Sequence, residues 1–151
     1  MAIFKYKMQN ILNIKSKLEE QEKMNFAMMR IKLNEEEEAL ELLKKRRQEL
    51  EEEGRRLRLE NINVLELKEN EASVRYQDEC IKAQILKVRT AQKNLEAARV
   101  RMQQAMQERE IHEKLREKAF DAFLQEERIR EAKEIDELTS YTYGKKEKVD
   151  G

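Results

Sequence analysis

Leu33, Leu40, Leu43, Leu50 and Leu57 stand in one seven-residue frame, and no proline occurs anywhere in the 151 residues to interrupt it. Apolar side chains spaced by three and four keep one stripe of a helix facing a partner helix. Only three glycines are present, so the chain is short of turn formers and is restricted to long helices. Charged residues make up 42%, apolar residues 39% and aromatic residues 5%. That is the composition of coiled coils, with too few rings for a compact globular core. The expected fold class is all-α, an antiparallel two-helix coiled-coil hairpin.

Helix one is expected over 3–58. Its early stripe reads Phe4, Met8, Ile11 and Leu18, broadened by Leu12 and Ile14, and the leucine frame continues it. Between them Met24, Phe26, Met28 and Met29 hold no strict phase, which predicts a local phase shift around Glu22–Met29. Gly54 weakens the helix by about 1 kcal/mol relative to alanine without ending it. Asn61, Asn63 and Asn70 mark 59–72 as the reversal, and Ser73 is the candidate N-cap of a second helix over 73–140. Ile81, Ile85, Val88, Leu95, Met102 and Ala105 form its seam. Leu115, Ala119, Phe123 and Leu138 resume that seam after a slip. The final YTYGKKEKVDG has lost the pattern, so 141–151 is expected to be a flexible tail. Residues 1–140 are expected to form a single hairpin, with helices of about 80 and 100 Å and both termini at one end. One continuous helix pairing with a second copy satisfies the same seam; the asparagines favour the hairpin.

Lysine plus arginine equals aspartate plus glutamate, 32 against 32. A dedicated nucleic-acid binder shows a basic excess instead. Cys80 is the only cysteine, so no intrachain disulfide forms, which fits a reducing compartment. No apolar run approaches the roughly 18–20 residues that span a bilayer, and the N-terminus lacks the apolar core of a secretory signal. A cytoplasmic protein is expected. His112 opens HEKLR, but a zinc-protease helix needs a second histidine where Arg116 stands. Cys80 has no histidine near it in sequence, and Gly54, Gly144 and Gly151 are too scattered for a phosphate-cradling loop. The acidic run Glu35–Glu38 reads as a solvated helix face. No catalytic, cofactor-binding or metal-binding residue is expected, and the chain reads as a non-enzyme.

The opening segment carries four lysines, Lys5, Lys7, Lys15 and Lys17, among its apolar residues. Its stripe either pairs with helix two or docks on a partner or a membrane surface. The absence of arginine and the continuing helical frame argue against a transit peptide.

Four stretches, FKYKMQNILNIKSKLEEQEK, LNEEEEALELL, LEAARVRMQQAMQEREIHEKLREKAF and FLQEERIREAKEIDELTSYTYG, together resemble the FliJ family of bacterial flagellar export proteins. The resemblance covers most of the chain. It implies an antiparallel coiled coil similar to the central stalk of rotary ATPases. It further implies insertion into the hexameric ring of the flagellar export ATPase, and links to the export-gate membrane protein and to export chaperones. The implied location is the cytoplasm, peripheral to the inner face of the cell membrane. The ATPase-binding residues are then expected at the paired termini, Lys5, Lys7, Lys15 and Lys17 with Lys114, Arg116 and Lys118. The gate and chaperone contacts are expected nearer the turn, at Leu42, Ala72, Tyr76 and Ala83; Lys45 and Glu49 depart from the family there. A prefoldin-like holdase hairpin, with Met24, Met28 and Met29 as a client surface, and a passive coiled-coil scaffold are the competing readings.

Overall fold

A computed structural model of the chain describes residues 2–60 and 63–150, with side chains through residue 145. Two helices, α1 (Gln9–Leu59) and α2 (Val64–Asp150), make up nearly all of it, and no strand occurs among the described residues. The fold is all-α, an antiparallel two-helix coiled-coil hairpin.

Both helices start elsewhere than their apolar patterns indicate. Residues 2–6 precede α1 in irregular conformation, and a turn at Lys7–Met8 leads into it. The Gln9 amide donates to the Tyr6 carbonyl at 3.2 Å and the Leu12 amide to that of Met8 at 3.1 Å. No Ser, Thr, Asp or Asn precedes Gln9 to cap an earlier start, and Phe4 packs on α2 from outside the helix. At the reversal, Asn63 rather than Ser73 caps α2. Its Oδ1 accepts from the amides of Leu65 (3.1 Å) and Glu66 (3.5 Å), and Glu66 places a negative charge in the first turn. Residues 64–72, expected within the turn, are therefore helical. Asn61 lies outside the described residues. α2 also runs past Ser140 to Asp150, because a helix satisfies its own backbone without needing an apolar stripe.

Contacts divide the chain into two compact units, Met1–Glu19 with Ala105–Gly151, and Glu20–Gln104. In the second unit α1 and α2 run antiparallel: Leu50 meets Asn70, Arg47 meets Asp78, and Glu36 meets Gln84. Asn25, Ala39 and Glu51 are half-buried at the flanks of the α1 seam, whose positions here are Glu22, Phe26, Met29, Leu33, Glu36, Leu40, Leu43, Arg47, Leu50, Gly54 and Leu57. The seam positions alternate strictly by four and three, so the expected phase shift does not occur. Glu22 holds the seam position that an apolar count skips, while Met24 and Met28 point outward. The α2 face runs Leu67, Asn70, Val74, Gln77, Ile81, Gln84, Val88, Ala91, Leu95, Ala98 and Met102 in the same rhythm.

Small and polar residues make the tightest layers. Asn70 is buried and donates Nδ2 to the Leu50 carbonyl at 2.8 Å. A Cβ on Gly54 would stand 2.5 Å from the Asn70 Oδ1. Glycine therefore costs helix propensity at 54 but makes room for a buried amide. Gln84, also buried, donates Nε2 to the Glu36 carbonyl at 2.9 Å and to its Oε2 at 2.5 Å. A buried polar group left unpaired costs about 1–3 kcal/mol, so these layers resist sliding.

In the first unit the same four-three rhythm runs through Ala105, Arg109, His112, Ala119 and Phe123. The expected slip is absent, and Leu115 and Leu138, assigned to the seam from sequence, are exposed. Arg109 and His112 occupy the seam positions instead.

Gly54→Ala gains about 1 kcal/mol of helix propensity but displaces a buried amide whose lost bonding costs about 1–3 kcal/mol. A net destabilisation of about 1 kcal/mol is expected from urea unfolding. In the Gly54→Ala/Asn70→Ala double variant the midpoint recovers, because the clash is gone.

Candidate docking surface

The first unit assembles around one aromatic cluster. Phe4 packs edge-on against Phe120, ring centroids 5.1 Å apart at 70°, and tilted against Phe123 at 5.4 Å. The Arg116 guanidinium lies 5.6 Å from the Phe4 ring centroid, and its Nε donates to the Gln9 Oε1 at 3.0 Å. This contact carries the cation–π attraction expected of a ring face. Further along, Lys15 Nζ donates to Glu108 Oε2 at 2.8 Å. Arg109 pairs with the buried Glu19 through Nε, and with Glu113 through Nη1 at 2.7 Å. Residues low in α1 thus meet residues high in α2, and the antiparallel pairing holds in this unit also.

These ion pairs shift the titrations of their members. The hydrogen bond from Lys15, then its charge, holds the Glu108 carboxyl below its ordinary value of 4.5. The hydrogen bond that Arg109 donates to Glu19, then the one it donates to Glu113, raises its already high value. In the second unit the Gln84 amide, then the Lys32 ammonium, lowers the Glu36 carboxyl from 4.5.

All seven basic residues assigned from sequence to the ATPase contact, Lys5, Lys7, Lys15, Lys17, Lys114, Arg116 and Lys118, fall in this first unit. Their roles divide. Lys15 is half-buried against Glu108, and Arg116 is held by Phe4 and Gln9. Lys5, Lys7, Lys17, Lys114 and Lys118 are exposed, with no ion pair among the described residues. The sequence does not separate these two groups, because charge spacing along one helix does not reveal a partner some ninety positions away.

The turn-proximal group lies in the second unit. Leu42, Ala72, Tyr76 and Ala83 are all exposed. Each follows a seam residue (Leu40, Asn70, Val74, Ile81) by two positions, about 200° round the helix. Leu42 therefore faces outward from α1, and the other three face outward from α2. They form two separate strips. On α1, Met24, Met28 and Ile31 extend the strip of Leu42 and are likewise exposed. The Tyr76 phenol is raised above its ordinary value, chiefly by its hydrogen bond with Cys80. Cys80 is half-buried, and so is His112, whose Nδ1 has no hydrogen-bond partner among the described residues. No group of three or more His, Cys, Asp or Glu side chains among the described residues is arranged to hold a metal ion. No described helix is long and apolar enough to cross a membrane.

A pair of antiparallel helices whose seam includes small and polar layers defines a coiled-coil protein. The family model described as flagellar FliJ protein matches residues 4–148. The chain belongs to the FliJ family and is a component of the flagellar export apparatus. No curated protein and no solved structure matches it.

Two outcomes test this geometry. Arg109→Leu removes the ion pair with the buried Glu19 and lowers the thermal midpoint, whereas Glu19→Leu/Arg109→Leu restores or exceeds it, since an apolar pair needs no desolvation of charge. The pH dependence follows from the lowered carboxyls. A group with a depressed folded pKa stabilises fully above its unfolded value and loses that contribution as pH falls through the folded value. Helix content monitored by circular dichroism is therefore expected to weaken on acidification below about pH 4.5. Glu108→Gln combined with Glu36→Gln makes that decline shallower.

Proposed function

We propose that this FliJ-family protein is a stalk: its first unit docks in the ring of the flagellar export ATPase, promotes ring assembly and activity, and links it to the export gate and to export chaperones. The observation that supports this reading is the exposure of Lys5, Lys7, Lys17, Lys114 and Lys118 on one compact unit, from both ends of the chain, without internal ion pairs among the described residues. Cations left free in this way give fast, reversible, salt-sensitive encounter with an acidic ring lining, and contribute more to rate and selectivity than to tight affinity. The coupling needs two decorated surfaces and no catalytic residue of its own. The outward strip of Leu42 on α1, extended by Met24, Met28 and Ile31, and the separate strip of Ala72, Tyr76 and Ala83 on α2 serve the gate and the chaperones; adaptable methionines suit several partners. The protein acts in the cytoplasm and is held at the inner face of the membrane through these partners.

The test is ATP hydrolysis by the purified export ATPase with and without this protein. Stimulation is expected at low salt and fades as salt rises. Reversing Lys5, Lys7, Lys17, Lys114 and Lys118 to glutamate removes most of it while thermal stability changes little. Lys15→Gln and Arg116→Gln act mainly on stability. A wild-type protein that leaves the ATPase rate unchanged at low salt contradicts the reading.

A further inference from the structure

The turn of the second unit carries surface that neither the fold nor the stalk reading uses. Leu59, Val64 and Leu65 flank the reversal at 85%, 60% and 66% exposure. Turns ordinarily present polar residues and glycine to water, and three large aliphatic side chains beside one turn add nothing to the seam. Behind them stand Arg55, Arg56, Arg58 and Lys68. From 55 to 75 the chain has five cations, Arg75 included, against four carboxylates, Glu60, Glu66, Glu69 and Glu71. Arg55, Arg58 and Arg75 also line a cleft of about 470 Å³ beside Gly54 and Asn70. Glu51 and Glu71 line it too, and Glu51 is engaged by Arg47 at 2.6 Å. None of Arg55, Arg56, Arg58, Lys68 or Arg75 has an ion pair among the described residues. Arg56 and Arg58 complement the negative end of α1, but that role explains neither the aliphatic side chains nor Arg55 and Arg75.

We propose that this turn is a direct contact for an anionic lipid surface. Leu59, Val64 and Leu65 enter the acyl–headgroup boundary, and Arg55, Arg58 and Arg75 pair with lipid phosphates. A bilayer interface accepts apolar wedges and cations together and needs no shaped groove in return. Guanidinium groups match phosphate oxygens by bidentate hydrogen bonding. The inference is independent of ATPase docking, because it rests on the second unit and not on the terminal lysines.

The experiment is co-sedimentation of the full chain with mixed phosphatidylcholine–phosphatidylglycerol vesicles at low salt, against phosphatidylcholine alone. Binding is expected to the anionic vesicles only, and to weaken as salt rises. Each of Arg55→Gln, Arg58→Gln and Arg75→Gln is expected to reduce it about fivefold. Leu59→Ser/Val64→Ser/Leu65→Ser abolishes it, with helix content retained because all three residues are exposed. Charge reversal of Lys5, Lys7 and Lys17 leaves it unchanged, which separates this surface from the opening segment and from the ATPase contact. The chain has no tryptophan, so Val64→Trp is a clean reporter whose emission shifts to the blue on anionic vesicles. Absence of anionic-vesicle binding, equal binding by the turn variants, or an unshifted Val64→Trp emission overturns the proposal. So does a turn variant that loses an acidic protein partner while keeping vesicle binding, since the surface is then a protein contact.

Discussion

Steric room at Gly54 for the Asn70 amide governs the second unit. Asn70 is buried where two helices approach closely, its Nδ2 is satisfied by the Leu50 carbonyl, and its Oδ1 occupies the place of a Cβ at 54. A shift by one heptad would bring a side chain against that amide and strip Gln84 from Glu36. Apolar layers alone do not discriminate so sharply, because leucine against leucine is tolerable in several registers. Few large apolar side chains are deeply buried: Leu12, Leu50 and Val88, beside Ala91 and Ala98. Hydrophobic burial holds the helices together, while the polar layers decide which residue meets which. A single buried asparagine setting register at some cost in stability is a known device of coiled coils.

The same logic sorts the charges. A highly charged surface reads as undifferentiated from sequence, yet the structure separates cations that pair within the fold from those that make no ion pair among the described residues. Lys15, Arg47 and Arg109 cross between the helices to Glu108, Asp78 and Glu19. Lys5, Lys7, Lys17, Lys114 and Lys118, like Arg55, Arg58 and Arg75, do not. Exposed pairs contribute little to stability, so a cation that makes no internal pair is free to be committed to a partner at small cost to the fold. On the stalk function proposed for this member of the FliJ family, that division is what the surface offers to partners.

Legibility in the sequence follows the kind of force involved. Lack of proline, scarcity of glycine and the leucine frame made two long helices readable, since these are local conditions on the backbone. Apolar counting misled wherever a polar residue held a seam position. Glu22 hid the continuity of α1, Arg109 and His112 hid that of α2, and Leu115 and Leu138 were taken for seam residues although they face solvent. The asparagine cluster pointed to the reversal; among the described residues Asn63 serves it, as a cap, while Asn70 lies in a helix layer. Tyrosines and lysines after Ser140 offered no stripe, and the helix continues there without a seam partner pattern.

What the sequence determined by itself is the class of structure: helical periodicity and composition are properties of neighbouring residues and sufficed for long pairing helices, the asparagine cluster favoured folding back into a hairpin, and four stretches carried a family resemblance along most of the chain. Only the tertiary structure decided register, helix starts and the division of charges. Register and the division of charges depend on residues twenty to more than a hundred positions apart meeting across the seam, such as Leu50 with Asn70 and Gln9 with Arg116. No one-dimensional pattern records such a meeting, because the energy of a buried polar group depends on the partner it finds and not on the neighbours it has along the chain.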